Sequence, residues 1–115
     1  MLSESAIGAL FDIRDNILLA QQFVADLDER AFSASRLRFY AATRALEIIS
    51  EASRRLPKAL KDRHPAIGWD EIAGAGNVYR HDYEDVRERR LWSTVHKDLP
   101  LLLSVVEDEL CARGE

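Results

Sequence analysis

The sequence predicts an all-α fold, an antiparallel bundle of four to five helices. Apolar residues recur at steps of three and four along most of the chain, which is the period of a helix buried on one side. No stretch alternates between apolar and polar residues as a strand would. No repeat or low-complexity linker divides the 115 residues, so we expect one domain over residues 1–115. Short connections favour antiparallel neighbours.

Two long helices are predicted in the first half of the chain. Ser3 is a suitable cap for the first, which ends in the charged segment 26–30. The second begins after Ser33–Ser35 and carries an apolar stripe. Pro57 cannot donate to the helical ladder, so this helix should kink or restart there and end before residues 64–65. The stripe consists of Leu37, Tyr40, Ala41, Ile48, Ile49, Ala52 and Leu56.

The second half predicts a shorter helix and a longer one. The shorter helix covers residues 69–83, and it contains two glycines, Gly74 and Gly76, each of which costs a helix interior about 1 kcal/mol relative to alanine. A packing or functional reason is therefore expected there. The last helix begins near Glu88 and contains Pro100. Either it kinks at the proline, or Asp98 caps a second piece.

Composition limits the functions open to the chain. Apolar residues make up 47% and charged residues 31%, as in a globular protein, and the net charge of −4 argues against a nonspecific nucleic-acid binder that works through global charge. Basic residues are nevertheless concentrated between Arg54 and Arg90. With one cysteine, Cys111, and three histidines that lack metal-site spacing, we expect no metal and no cofactor. No membrane span or secretory signal is visible, which predicts a cytoplasmic protein.

Residues suited to phosphate chemistry occupy one segment of the third helix. Asn77 and His81 are four residues apart, and Arg80 and Tyr83 lie on a neighbouring stripe. An imidazole can exchange protons near neutral pH, and a guanidinium can hold a phosphate with two hydrogen bonds. Taken singly, a helical histidine is more often structural, and Tyr83 could be a core residue. The combination favours a functional site.

The same segment resembles the HEPN superfamily, specifically its HepT-like branch. The hallmark of that branch is an arginine followed by a polar residue, then a histidine four to six residues after the arginine, and a tyrosine two places later. Residues 69–83, followed by Val86, Leu91-Trp92 and residues 98–100, match this pattern, and residues 50–52 look like part of the family's second helix. Asn77, His81 and Tyr83 can be carried over. Gly76 stands where the family arginine is usual.

The departure at Gly76 leaves two interpretations open. A helical side chain leans toward the amino end, so Arg80 would reach back over the turn that contains Gly76 and replace the missing charge. Alternatively, the site is catalytically dead.

The resemblance implies an activity and its partners. It implies a toxin of a type VII-like toxin–antitoxin pair, a homodimeric, metal-independent endoribonuclease that acts on RNA through Asn77 and His81. On the first interpretation above, Arg80 joins them in place of the family arginine. It further implies that a nucleotidyltransferase antitoxin silences the enzyme by adenylylating Tyr83. Tyr79 is the competing acceptor, whereas Tyr40 was assigned to the packing stripe. The alternative is a noncatalytic helical module that docks a nucleotidyltransferase or its substrate.

Overall fold

The computed structural model describes the backbone of residues 2–81 and 84–114 and the side chains of residues 2–75 and 87–114. Within those ranges every regular element is helical, which confirms the predicted all-α class. The helices are α1 (Glu4–Val24), α2 (Glu29–Ala34), α3 (Arg36–Ser53), α4 (Lys58–Asp62), α5 (Trp69–His81), α6 (Glu84–Ser93) and α7 (Leu99–Ala112), with a π-helical turn at Thr94–Asp98 between the last two.

Side-chain caps fix where the first three helices begin. The hydroxyl of Ser3 accepts a hydrogen bond from the amide of Ala6 at 3.1 Å, and the hydroxyl of Ser35 accepts one from the amide of Arg38 at 3.2 Å. Both caps follow the predicted starts. The charged segment 26–30 does more than end α1, because Asp28 caps the additional short helix α2. A six-residue helix is too short to show a periodic pattern.

Helices α1 and α3 form an antiparallel pair at the centre of the molecule. Arg38, near the start of α3, binds Asp26 just beyond the end of α1 at 2.7 Å. Arg55, just beyond the end of α3, binds Asp12 in the first half of α1, also at 2.7 Å. The core between these helices and α7 is fully buried and includes Leu10, Ile13, Ile17, Leu46, Ile49, Leu102 and Val106.

The core face of α3 is rotated from the predicted stripe. Leu37 and Tyr40 are 77% and 61% exposed, whereas Phe39, Ala42 and Leu46 are buried. The assignment of Leu37 and Tyr40 to the core was therefore wrong. Two apolar stripes run along this helix at the same spacing, and the pattern alone does not say which one faces α1.

A π-helical turn, Thr94–Asp98, precedes Pro100. The amide of Leu99 bonds to the carbonyl of Thr94, five residues back, and Pro100 is the second residue of α7. A proline lacks the amide that an α-helix requires and crowds the carbonyl four residues earlier, which favours this wider turn. As the second alternative predicts, Asp98 occupies the N-cap position of a separate piece, α7, and Pro100 lies in its first turn, but the side chain of Asp98 makes no capping hydrogen bond. The helical stretch also begins earlier than predicted, at Glu84.

None of the helices in the described part of the chain has the length and apolar character that crossing a membrane requires.

Candidate functional site

The predicted site residues lie at the carboxyl end of α5. Positions 77, 80 and 81 belong to α5, whose described range is Trp69–His81, and position 83 lies between this range and α6 in the sequence. The side chains of Asn77, Arg80 and His81, and Tyr83 as a whole, fall outside the described residues. The structure describes how the first part of α5 packs on the rest of the protein, and this packing positions the end of the helix that carries the motif.

Helix α3 anchors α5 one turn before Asn77. The hydroxyl of Ser50, a buried residue, donates to the carbonyl of Ala73 at 2.7 Å. The Nη1 of Arg54 donates to the same carbonyl, also at 2.7 Å. In an α-helix the carbonyl of residue i faces the amide of residue i+4, so these donors lie at the turn that leads from Ala73 to Asn77.

Sequence reasoning missed this contact. It associated residues 50–52 with the family pattern and counted Arg54 only among the concentrated basic residues, with no contact assigned to it. A contact between residues 19 positions apart in the chain depends on how α5 is placed against α3, and periodicity carries no such information.

The amino end of α5 is held by Trp69. Its indole Nε1 lies 3.1 Å from the carbonyls of both Lys61 and His64, and the ring packs against the core as a half-buried side chain. Ile72 and Ala75 add apolar contacts with the core on the following turns. Trp69 is therefore a packing aromatic. The hydrogen bonds of Trp69 and the packing of Ile72 and Ala75 together fix the part of α5 that precedes the motif.

After the motif in the sequence, α6 packs against α3. The side chain of Glu88 is 8% exposed, and its carboxylate lies 3.5 Å from the Nη1 of Arg36, which is a long ion pair. The guanidinium of Arg87 lies 6.0 Å from the centre of the Phe39 ring, within the range of a cation–π contact. Both chain segments that flank residues 77–83 therefore pack on the same helix.

A cavity of about 660 Å³ opens beside α5, between α3 and the start of α7. Its floor is apolar and includes Leu46, Ile49 and Leu99, while Asp70 and Lys97 lie among its polar lining residues. Because acidic and basic groups both line it, the cavity offers no clear electrostatic preference for a polyanion.

His64 and His96 make structural contacts. The Nε2 of His64 lies 2.6 Å from the carboxylate of Glu109, which also binds Arg63 at 2.8 Å. The hydrogen bond from Arg63 and the one with His64 hold the pKa of Glu109 below its ordinary value, although burial acts in the opposite direction. The Nδ1 of His96 lies 2.9 Å from the carbonyl of Trp92, and His96 is exposed.

In the ranges that the structure describes, no group of histidine, cysteine, aspartate and glutamate side chains is arranged to hold a metal ion. Cys111 is exposed and unpaired in the same ranges.

Comparison with known proteins adds a family match. A family model described as "Ribonuclease HepT-like" matches residues 13–109, a span that includes the whole motif. A protein of Thermococcus cleftensis named "Probable ribonuclease HepT" is 39% identical over 93 residues, which cover 81% of this chain and 84% of that protein. A Methanocaldococcus jannaschii protein named "Putative RNase" is 34% identical over 98 residues, covering 85% of this chain and 90% of that protein. No solved structure matches the chain significantly.

Proposed function

The chain belongs to the HepT-like ribonuclease family, and from this premise we propose that it is a metal-independent endoribonuclease whose site is built on Asn77, Arg80 and His81. The observation that carries the proposal is the extent of the match, because residues 13–109 include both the motif and the helices that support it. The relatives named as ribonucleases align over most of their own length, which supports the same activity here.

The proposed reaction is transesterification within RNA. The ribose 2′-oxygen attacks the adjacent phosphorus, the bond from phosphorus to the 5′-oxygen breaks, and the products carry a 2′,3′-cyclic phosphate and a 5′-hydroxyl. His81 exchanges the protons that leave the 2′-hydroxyl and reach the 5′-oxygen. Arg80 stabilises the negative charge that grows on the phosphate, and Asn77 orients the histidine or the substrate.

In this proposal Arg80 replaces the family arginine that is absent at Gly76. Side chains on a helix lean toward its amino end, so a long side chain at position 80 is directed toward the turn that contains position 76. A guanidinium from the next turn would therefore serve the phosphate that the usual arginine contacts.

Gly76 also favours a second function, because it stands where the family's catalytic arginine is usual. If no other group supplies the missing charge, the chain is a noncatalytic helical module that docks a nucleotidyltransferase or its substrate. The two functions differ in whether the isolated protein cleaves RNA.

The proposal includes a regulator and a second copy of the chain. As a toxin of a toxin–antitoxin pair, the enzyme would be silenced when a nucleotidyltransferase antitoxin transfers AMP from ATP to the phenol oxygen of Tyr83, with loss of pyrophosphate. A homodimer would bring two motifs to one cleft, because a single short helix end offers few groups with which to enclose an RNA phosphate.

The decisive experiment is cleavage of RNA by the purified chain, free of adenylylation, in excess EDTA. We expect fragments with 2′,3′-cyclic phosphate ends, and we expect His81→Ala to form none while it keeps the wild-type circular dichroism spectrum. A wild-type protein that leaves varied single-stranded and structured RNAs intact would overturn the ribonuclease proposal and favour the binding module.

A further inference from the structure

We propose that Arg54, at the carboxyl-terminal cap of the neighbouring helix α3, contacts an RNA phosphate beside the motif and supplies positive charge on the side where Gly76 leaves none. The inference rests on the proposed function in that it takes RNA as the ligand. It concerns binding of the substrate, whereas the role given to Arg80 concerns the rate of the chemical step.

The position of Arg54 carries the inference. Its Nη1 lies 2.7 Å from the carbonyl of Ala73, and that carbonyl faces the amide of residue 77 in α5. Positions 76, 77, 80 and 81 follow position 73 at steps of three and four, so they share one side of the helix. The guanidinium therefore lies at the amino end of the stripe that bears the motif.

Much of this guanidinium remains open to an anion. An arginine carries five N–H donors, and Arg54 uses only Nη1 for its protein contacts in the described part of the chain, with the Ala73 carbonyl and the Ser50 hydroxyl. No carboxylate in those ranges forms an ion pair with it, and the residue is exposed. A planar guanidinium with free N–H groups suits two-point binding of phosphate oxygens.

The adjacent arginine provides the contrast. Arg55 lies 2.7 Å from a carboxylate oxygen of Asp12 and 3.5 Å from one of Glu51, so its charge is balanced within the protein. Arg54 has no such partner in the described ranges and points instead to α5. Two consecutive arginines just beyond the end of α3 therefore have different electrostatic surroundings.

The contacts of Arg54 also hold its side chain in place before any ligand binds. Its Nη1 lies 3.4 Å from the hydroxyl of Ser50, four residues earlier, and Ser50 is held by its own bond to the Ala73 carbonyl. A side chain that is already positioned loses less conformational freedom when it binds a ligand.

Substitution with glutamine separates binding from structure, because it removes the charge and keeps a polar side chain, while the Ser50 hydroxyl still donates to the Ala73 carbonyl. Affinity would be measured by fluorescence anisotropy on a labelled single-stranded RNA whose 2′-hydroxyls are methylated, so that cleavage cannot occur. We expect Arg54→Gln to raise Kd about 3- to 10-fold and to reduce the slope of log K against log salt by about 0.7, the value for one phosphate contact on a single strand. Arg54→Lys should keep the slope.

Two matched variants serve as controls. Arg55→Gln removes the same charge one residue away, and its effect on Kd should stay below about twofold, because that charge is already paired. Ser50→Ala removes the other hydrogen bond to the Ala73 carbonyl without a change of charge, so it should lower the melting temperature and leave the salt slope unchanged.

A measurement on the wild-type protein covers the case in which a variant fails to fold. Phenylglyoxal modifies accessible guanidinium groups, and bound RNA should protect Arg54 more than Arg55, as read by fragment mass spectrometry. Equal protection of the two arginines, equal Kd and slope for Arg54→Gln and Arg55→Gln, or no RNA binding by the wild type would overturn the inference.

These outcomes are distinct from failure of the proposed ribonuclease. Wild-type protein that binds the methylated RNA through Arg54 and cleaves no RNA would refute the enzyme and leave the inference standing. Wild-type protein that cleaves RNA while Arg54→Gln matches Arg55→Gln would refute the inference alone.

Discussion

Arg80 is the residue on which the proposed catalytic step depends most. We expect Arg80→Ala to abolish RNA cleavage and to leave thermal stability nearly unchanged, because an arginine on a polar helix face contributes little to a helical core. Arg80→Lys should give an intermediate rate, since a lysine keeps the charge and loses the planar fork that grips two phosphate oxygens. Single-turnover cleavage rates with saturating protein measure both effects.

His81→Ala is the parallel variant for Arg80. If both groups act on one transition state, the two alanine variants should be equally inactive, and the double variant should be no worse than either. Activity of Arg80→Ala at the wild-type rate would reduce Arg80 to a solvated helix residue.

Tyr83 is the expected site of adenylylation, because it is the phenol placed two residues after His81. After incubation with a cognate nucleotidyltransferase and ATP, peptide mass spectrometry should find a mass increase of one AMP group on Tyr83. Tyr83→Phe should abolish this increase and leave the protein's ribonuclease activity insensitive to the antitoxin. Labelling that persists in Tyr83→Phe would assign the acceptor to another tyrosine.

The exposure of Tyr40 removes one argument for choosing Tyr83 as the acceptor of AMP. Sequence periodicity placed Tyr40 in the core, where a transferase could not reach it, but the residue is 61% exposed. Burial therefore gives no reason to exclude it, and Tyr40→Phe belongs beside Tyr79→Phe as a comparison. The exposure of a helical residue depends on which side its neighbours cover, and the local sequence does not contain that information.

At the scale of helices, the cap of α3 is open to a direct test. Ser35→Ala removes the side-chain acceptor for the amide of Arg38, and we expect it to lower the free energy of unfolding by about 1 kcal/mol. Urea unfolding followed by circular dichroism measures the change. Ser104→Ala is the matched control, because Ser104 is exposed within α7 and caps no helix, so its effect should stay within about 0.5 kcal/mol.

Helices were predictable from the sequence where a long apolar period coincided with a start signal. Ser3 and Ser35 mark the starts of α1 and α3, and Pro57 separates α3 from α4. The pattern failed for α2, which is six residues long, and for the charged first turns of α6. The motif was recognised as a pattern of residue types, whereas the Arg54 contact required the placement of one helix against another.

Across the whole molecule, Glu109 joins α7 to the segment after α4, and this link should respond to pH. Its pKa is lowered first by the hydrogen bond from Arg63, so the folded state favours the carboxylate. The stabilising contribution is therefore fully present above the ordinary pKa of 4.5 and is lost as the pH falls through the lowered value.

Thermal unfolding of Glu109→Gln and the wild type tests this pH dependence. The difference in melting temperature should be largest near pH 7 and should shrink as the pH falls below about 4.5. Glu107→Gln, an exposed change on the same helix, should show a small difference at every pH. A gap between wild type and Glu109→Gln that stays constant from pH 7 to pH 3 would contradict the assigned role of the carboxylate.

Self-association is the other expectation for the whole molecule. If two motifs share one cleft, light scattering coupled to size exclusion should give twice the chain mass of 13.1 kDa at micromolar concentration. Mixing His81→Ala with a differently tagged Arg80→Ala then reveals whether one cleft draws residues from both chains, since mixed dimers would regain some cleavage. A monomer in solution would remove the shared cleft.

The packing of α7 against α1 has a consequence for how the chain is made. Helices α1 and α7 bury their apolar faces in one core, so Leu10 and Ile13 can join Leu102 and Val106 only after the intervening chain, which includes α3 and α5, has been made. Helices α1 and α3 leave the ribosome early and can pair locally, and residues 77–83 follow before α7 does. Until α7 emerges, the core that α1 and α3 share lacks the apolar side chains of α7. The proposed nuclease would therefore be complete only after α7 has emerged from the ribosome, an assembly that is itself largely RNA.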